Sequence, residues 1–268
     1  MAIKPFYDYK KTKRPMNVAG FMSGSGTNIR KIIEHQDAMG ERSPYKLIFL
    51  FSNVSDPNKC KIREIASEYN IEYKINDLKE FYEKKGVDRR NLKLRREYDA
   101  FTATWLKKRK IDAVALGGYM AIITDVIFKN FITINVHPAD LSIIDPQSKQ
   151  RKFTGDQAVR DAIMSGESEL RSSVHIATEN VDGGPLILIS ESIKVKLPTG
   201  VSSDDLEKSE NFSMLKKISD KHQDKLKEKG DWVIFPLALE YIARGYIKYD
   251  ESGILYFKDR PIPNGLKL

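Results

Sequence analysis

Two short stretches of the chain carry side chains that could do chemistry together. The first is Ile134-Asn135-Val136-His137-Pro138; the second is Ser173-Val174-His175, followed by Val181-Asp182-Gly183-Gly184-Pro185. Each begins as an apolar, β-branched run and ends in polar residues, as a buried strand does when it opens into a site. Side chains alternate along a strand, so Asn135 and His137 share a face about 7 Å apart. An amide donor beside an imidazole can polarise a carbonyl and move its proton. The Gly-Gly-Pro turn can present the Asp182 carboxylate towards that imidazole. Each residue alone reads equally well as a satisfied core histidine or a turn aspartate. Three such positions at two strand ends favour the chemical reading.

These strands need a scaffold, and the preceding sequence supplies one. Met16–Met22 is an apolar run ending in Ser23-Gly24-Ser25-Gly26-Thr27-Asn28, and Ile29, Ile32 and Ile33 then mark one face of a helix. Strand, glycine turn and helix start make an anion site from free backbone N–H groups and the helix dipole. Ile29 stands where the dinucleotide fingerprint has its third glycine, and no Lys-Ser/Thr of a Walker loop follows. Further strands are expected at 47–52, 72–75, 112–119 and 131–136, with helices near 59–69 and 96–110 and a helix with an exposed loop over 79–94. This alternation predicts an α/β fold, a doubly wound and mostly parallel Rossmann-like sheet with helices on both faces. Ligands in such sheets gather at the carboxyl ends of strands, where Gly26 and Asn135 both fall. Beyond a polar loop at 138–152, a helix is expected at 156–164 and strands at 172–177 and 186–195. The lysine-rich segment 196–230 reads as an insertion with a one-sided surface helix carrying Leu215, Ile218 and Leu226. A last helix covers 232–246, with Pro236 in its first turn.

The 268 residues have 31% charged and 41% hydrophobic side chains, ordinary for a globular protein. No run approaches the roughly 18 apolar residues of a membrane span, and the start has no apolar signal core. The lone Cys60 cannot form an internal disulfide, and no Cys/His spacing suggests zinc. A cytoplasmic protein is expected. The net charge of +8 is uneven: residues 1–15, a basic extension of irregular structure, carry five Lys/Arg against one Asp. Residues 79–110 carry twelve Lys/Arg against five Asp/Glu. Such a balance favours anionic partners, but no RNA-binding signature accompanies it, so no nucleic acid is expected.

Asn-x-His-Pro followed by Ser-x-His-x6-Asp-Gly-Gly-Pro resembles the folate-dependent formyltransferases, and among them those acting on glycinamide ribonucleotide. The resemblance runs from about Met16 to Ile247, with an enlarged loop after His137 and the insertion near 196–230. It implies a main domain over 16–250 and a tail at 251–268. A ribonucleotide-binding half would cover 16–120, and a folate-binding, catalytic half 121–250. By the same resemblance Asn135, His137 and Asp182 are the catalytic set, and Gly26, Thr27 and Asn28 bind the substrate phosphate. Asp231 falls where the family has a glutamate contacting the ribonucleotide. Arg95, Met120, Ile122, Ile123 and Val181 fall on the folate side; the arginine could equally align as Arg96. Ala121 stands where relatives often have arginine. Ser173 and His175 would support the catalytic turn.

The implied reaction passes a formyl group from 10-formyltetrahydrofolate to the amine of glycinamide ribonucleotide, a step of purine synthesis, without a metal. Asp182 would keep His137 charged, and the enzyme would be a monomer or homodimer. Alternatives are another phosphorylated or sugar-nucleotide amine as acceptor, a 10-formyltetrahydrofolate hydrolase, or a folate-binding module without chemistry. The family's hydrolase has an extra N-terminal domain, for which fifteen residues are too few. Its tRNA-directed member has a C-terminal barrel, for which little chain remains.

Overall fold

The computed structural model describes residues 3–268 except 89 and 207. Its first half runs β1 (Lys4–Pro5), α1 (Tyr9–Thr12), β2 (Met16–Met22), α2 (Thr27–Met39), β3 (Tyr45–Ser52) and α3 (Ile62–Glu68). There follow β4 (Glu72–Ile75), α4 (Leu78–Lys85), α5 (Leu92–Lys108), β5 (Ala113–Leu116), α6 (Asp125–Phe128) and β6 (Ile132–His137). The second half runs α7 (Ala158–Met164), β7 (Glu169–Leu170), β8 (Ser173–Ile176), β9 (Leu186–Ile189), β10 (Ile193–Lys194) and α8 (Ser203–Leu206). It closes with α9 (Phe212–Leu226), α10 (Trp232–Ala243), β11 (Ile247–Tyr249), β12 (Leu255–Phe257), β13 (Arg260–Pro261) and β14 (Leu266–Lys267).

Eight strands form one sheet in the order β14-β9-β8-β6-β5-β2-β3-β4. From β6 to β4 every pair is parallel, whereas β8 is antiparallel to both β6 and β9. Parallel strands covered on both faces are expected to be apolar, and β5 is, as is β2 but for Asn17 near its start. Alternation sends Met16, Val18 and Met22 into a core with α2, α3 and α10. Ala19 and Phe21 enter a second core on the opposite face with Tyr98 and Leu106 of α5. A third, separate cluster joins Phe153, Val159 and Ile163 to Leu215, Ile218 and Leu226 of α9. The insertion helix therefore has a core of its own instead of lying on an existing surface.

Both ends of the chain depart from expectation. Within residues 3–15, β1 pairs with β11, and α1 is capped by the Asp8 side chain. Arg14 makes a bidentate pair with Asp112, at 2.6 and 2.8 Å. The tail contributes β12 and β13 to a second sheet, β1-β11-β12-β13, and β14 to the edge of the main one. The strand expected over 186–195 breaks, because the Ser190 hydroxyl accepts the backbone N–H of Ser172 and β10 leaves to pair with β7. The helix and exposed loop expected over 79–94 divide at Gly86, in left-handed backbone, where α4 ends. Pro236 lies one turn inside α10, and a π-helical stretch, Lys227–Asp231, joins α9 to α10. Such π segments relieve backbone mismatch and frequently sit at functional sites; this one carries Asp231.

Candidate functional site

The register of β6 against β8 builds the centre of the site. Antiparallel pairing sets Asn135 opposite His175 and His137 opposite Ser173. The His175 Nδ1–H donates to the Ile176 carbonyl at 2.9 Å, which leaves Nε2 to accept from the Asn135 amide at 3.2 Å. One N–H of Asn135 is thereby engaged, and the amide is fixed in orientation. Ser173 shares this face but does not reach the cavity. Its hydroxyl donates to the Ala139 carbonyl and accepts the Leu141 N–H, holding the chain just past His137.

Asp182 sits between the two histidines, with Oδ2 3.5 Å from His137 Nδ1 and Oδ1 3.5 Å from His175 Nε2. All three are nearly buried. Asp182 has a φ of +53°, a left-handed conformation that its short polar side chain tolerates. Burial alone would raise its pKa. The adjoining His175 and His137 rings and the Gly155 N–H at 3.0 Å outweigh burial and hold the carboxylate at about 2.

Two effects oppose each other at His137: burial pushes the basicity of the imidazole down, and the Asp182 carboxylate raises it, burial being the larger. Its Nε2 lies 3.1 Å from the Phe153 carbonyl, to which it donates.

Around this centre lies a cavity of about 460 Å³. Asn135, His137, His175 and Asp182 form part of its wall. Met120, Ile122 and Val181, exposed by 67%, 56% and 62%, also line it, with Ala121 and the nearly buried Ile123. Isolated apolar side chains this open, gathered on one cavity, offer a surface for a flat ligand. A third group is Asn28, Gln223, Lys227 and Asp231. Asn28 Oδ1 is buried without a hydrogen-bond partner. Burial raises the Asp231 carboxyl to about 6, against the pull of Ser172, whose hydroxyl donates to it at 2.5 Å.

Three residues expected at ligands, Gly26, Thr27 and Arg95, do not line this cavity. Gly26 caps α2 with a φ of +69°, and a Cβ there would lie 2.5 Å from Met22 Cε and Ile65 Cδ1. It and Thr27 shape the start of α2, and Asn28 alone of the three reaches the cavity wall. Arg95 does not reach the cavity: α5 turns it inward, where it meets the Tyr119 hydroxyl at 3.1 Å and Asp99 at 3.4 Å. It braces the loop carrying Met120 from behind, while Thr124 bonds Asp99 in the same brace. Arg96, the alternative, is paired with Asp125 at the surface.

Gln223, Lys227, Gly155, Asp156 and the 178–180 loop line the cavity without having been singled out from the sequence. Nothing in a lysine-rich insertion marks one lysine as inward-facing. A Gly-Asp pair in a polar loop is an equally weak signal. Among the described residues no group of His, Cys, Asp and Glu could hold a metal ion, and no helix is long and apolar enough to cross a membrane.

The sequence pattern of the formyl transferase family matches residues 16–213. The chain is 25% identical over 255 residues to the phosphoribosylglycinamide formyltransferase of Escherichia coli K12, covering 93% of this chain and 98% of that one. It is 24% identical to the trifunctional purine biosynthetic protein adenosine-3 of Chironomus tentans, of which it spans only 14% of the length. The solved phosphoribosylglycinamide formyltransferase of Coxiella burnetii superposes with a TM-score of 0.66 at 20% identity, covering 95% of this chain and all of that one. With the family pattern over most of its length, and the Asn135, His137 and Asp182 strand ends gathered on one cavity, the chain belongs to the formyl transferase family.

Proposed function

We propose that the protein transfers a formyl group from 10-formyltetrahydrofolate to the amine of glycinamide ribonucleotide. One observation carries the reading: an amide, two imidazoles and a carboxylate share a cavity with open apolar side chains and a separate polar cluster. The apolar group, Met120, Ile122 and Val181, suits the flat pterin of a folate. The polar group suits a hydroxyl-rich acceptor, because the buried Asn28 oxygen lacks a hydrogen-bond donor. The Gly26 turn and the start of α2 lie beside it and suit the acceptor's phosphate.

The chemistry then needs few parts. The neutral amine attacks the formyl carbon, a C–N bond forms and the carbonyl electrons move to oxygen. The free N–H of Asn135 and the Nε2–H of His137 are the donors for that oxyanion, the latter by exchanging the Phe153 carbonyl for it. Losing one such donor typically costs about 3–4 kcal/mol of barrier. The bond from carbon to folate N10 breaks as the oxyanion collapses. The proton lost by the amine ends on N10, with Asp182 ordering its carrier between the two histidines.

The test is to follow formyl-folate with and without glycinamide ribonucleotide. Loss that requires the amine and yields formylated product supports the transferase. Loss without amine would make the protein a hydrolase, and binding without loss a module that does no chemistry.

A further inference from the structure

The enlarged loop after His137 does more than connect β6 to α7. It folds as a small hairpin: the Asp145 N–H donates to the Gln150 carbonyl at 2.8 Å, and Ile144 bridges Arg151. Buried Phe153 anchors it in the third apolar cluster. Within five residues the returning arm touches the catalytic centre three times. Arg151 donates through Nη1 to the Asp182 carbonyl and through Nη2 to the Gly184 carbonyl at 2.7 Å. The Phe153 carbonyl holds His137, and the Gly155 N–H holds the Asp182 carboxylate.

We propose that Arg151 is a positioning residue, a guanidinium clamp that fixes the Asp182-Gly183-Gly184 turn so that the carboxylate stays aimed at both His137 and His175. The need for a clamp is physical. Asp182 occupies left-handed backbone at +53°, which persists only where its surroundings over-determine it. The turn has few other restraints: Gly183 N–H to the Asn180 carbonyl, and Ile176 N–H to the Pro185 carbonyl. A planar fork is the side chain suited to two carbonyls at once, and a lysine ammonium is not. Arg151 does not itself line the cavity, so it acts through Asp182 and not on substrate.

This inference rests on the transferase reading, and its test separates the two. Arg151→Ala, assayed with formyl-folate and glycinamide ribonucleotide, should lower kcat on the order of 10- to 100-fold, since small displacements of reacting groups carry such losses. KM for both substrates should stay within about threefold, because no contact to either is removed. Arg151→Ala combined with Asp182→Asn should be no slower than Asp182→Asn alone, because the clamp has nothing left to aim. An unchanged kcat, or losses that multiply in the double variant, overturns the proposal. Should the wild-type protein show no amine-dependent transfer, the transferase reading falls while the clamp remains measurable. Amide hydrogen exchange over residues 180–185 should then be at least about tenfold faster in Arg151→Ala, and equal rates would overturn the clamp.

Discussion

Gly184→Ala is the smallest change that should disable the site. A Cβ on Gly184 would lie 1.8 Å from the Ile176 carbonyl oxygen, 3.0 Å from its carbon and 3.1 Å from Thr178 Cγ2. Real Cβ contacts essentially never fall below 3.0 Å, so about 1.2 Å must come from movement of backbone on one side or the other. If the turn yields, Asp182 moves with it. If the Ile176 carbonyl yields, His175 loses the acceptor that fixes its Nδ1 proton. Both routes displace a group facing the reaction by about 1 Å, which costs on the order of 100-fold in rate, about 2.7 kcal/mol of barrier. Overpacking should cost a further 1–3 kcal/mol or so of stability. For a chain of this size about 2 kcal/mol lowers the unfolding midpoint by roughly 4–8 °C, leaving the protein folded at assay temperature. Purified Gly184→Ala should therefore bind a folate analogue and unfold cooperatively, yet turn over about 100-fold more slowly. A variant with kcat within threefold of wild type would refute the geometric argument.

Three further outcomes follow from the site. His137→Ala and Asp182→Asn should each cut kcat by orders of magnitude while folate-analogue affinity survives, as transition-state groups contribute mainly to rate; near-normal turnover in either removes its role. Gly26→Val should raise KM for glycinamide ribonucleotide at least about tenfold, because strain at +69° and the Met22 and Ile65 clashes displace the start of α2. Folate-analogue binding should stay within about threefold, and equal loss of both would make the turn purely structural. Asp231 has a raised pKa, so the folded state binds its proton more tightly than the unfolded chain does. The stability this contributes is full below about pH 3.8 and lost as pH rises through about 6. Urea titrations of wild type and Asp231→Asn should diverge by on the order of 3 kcal/mol between pH 3.5 and pH 7.5, the variant gaining as pH rises; parallel curves would place Asp231 in contact with water.

The parallel sheet was legible because its inner strands are largely buried on both faces. The register of β6 on β8 was not, although it makes Asn135 and His175 partners, because pairing between strands forty residues apart leaves no local periodicity. Asp182 could be named from its Gly-Gly-Pro turn. The protonation of His137 could not, since it depends on how deeply the ring is buried and on a backbone carbonyl of Phe153. Arg95 shows the complementary failure. A charged residue on a helix reads as exposed or as a ligand contact, but Tyr98, Tyr119 and Asp99 bury it as a brace. The two ends of the chain were misread for a simpler reason. Strands of two or three residues, such as β1 and β14, are too short for alternation to register, and only their partners hold them in place.

The strand β14 has a consequence for how the sheet ends. All four residues of β9 are buried, and without a neighbour this strand would present a flat, uncharged row of open N–H and C=O groups. Such a row is a template for another chain. Here it is masked by Leu266 and Lys267, which pair with Leu188 and Ile189, and by the Leu268 N–H bonded to the Ile189 carbonyl at 3.0 Å. Gly265 makes the approach possible, since a Cβ there would come within 3.0 Å of Leu186 Cβ. Lys267 also leaves a charge at the new border, 3.6 Å from Asp140. A few residues of the tail thus act as a selvage: they close the cloth at the edge where it would otherwise fray into its neighbours.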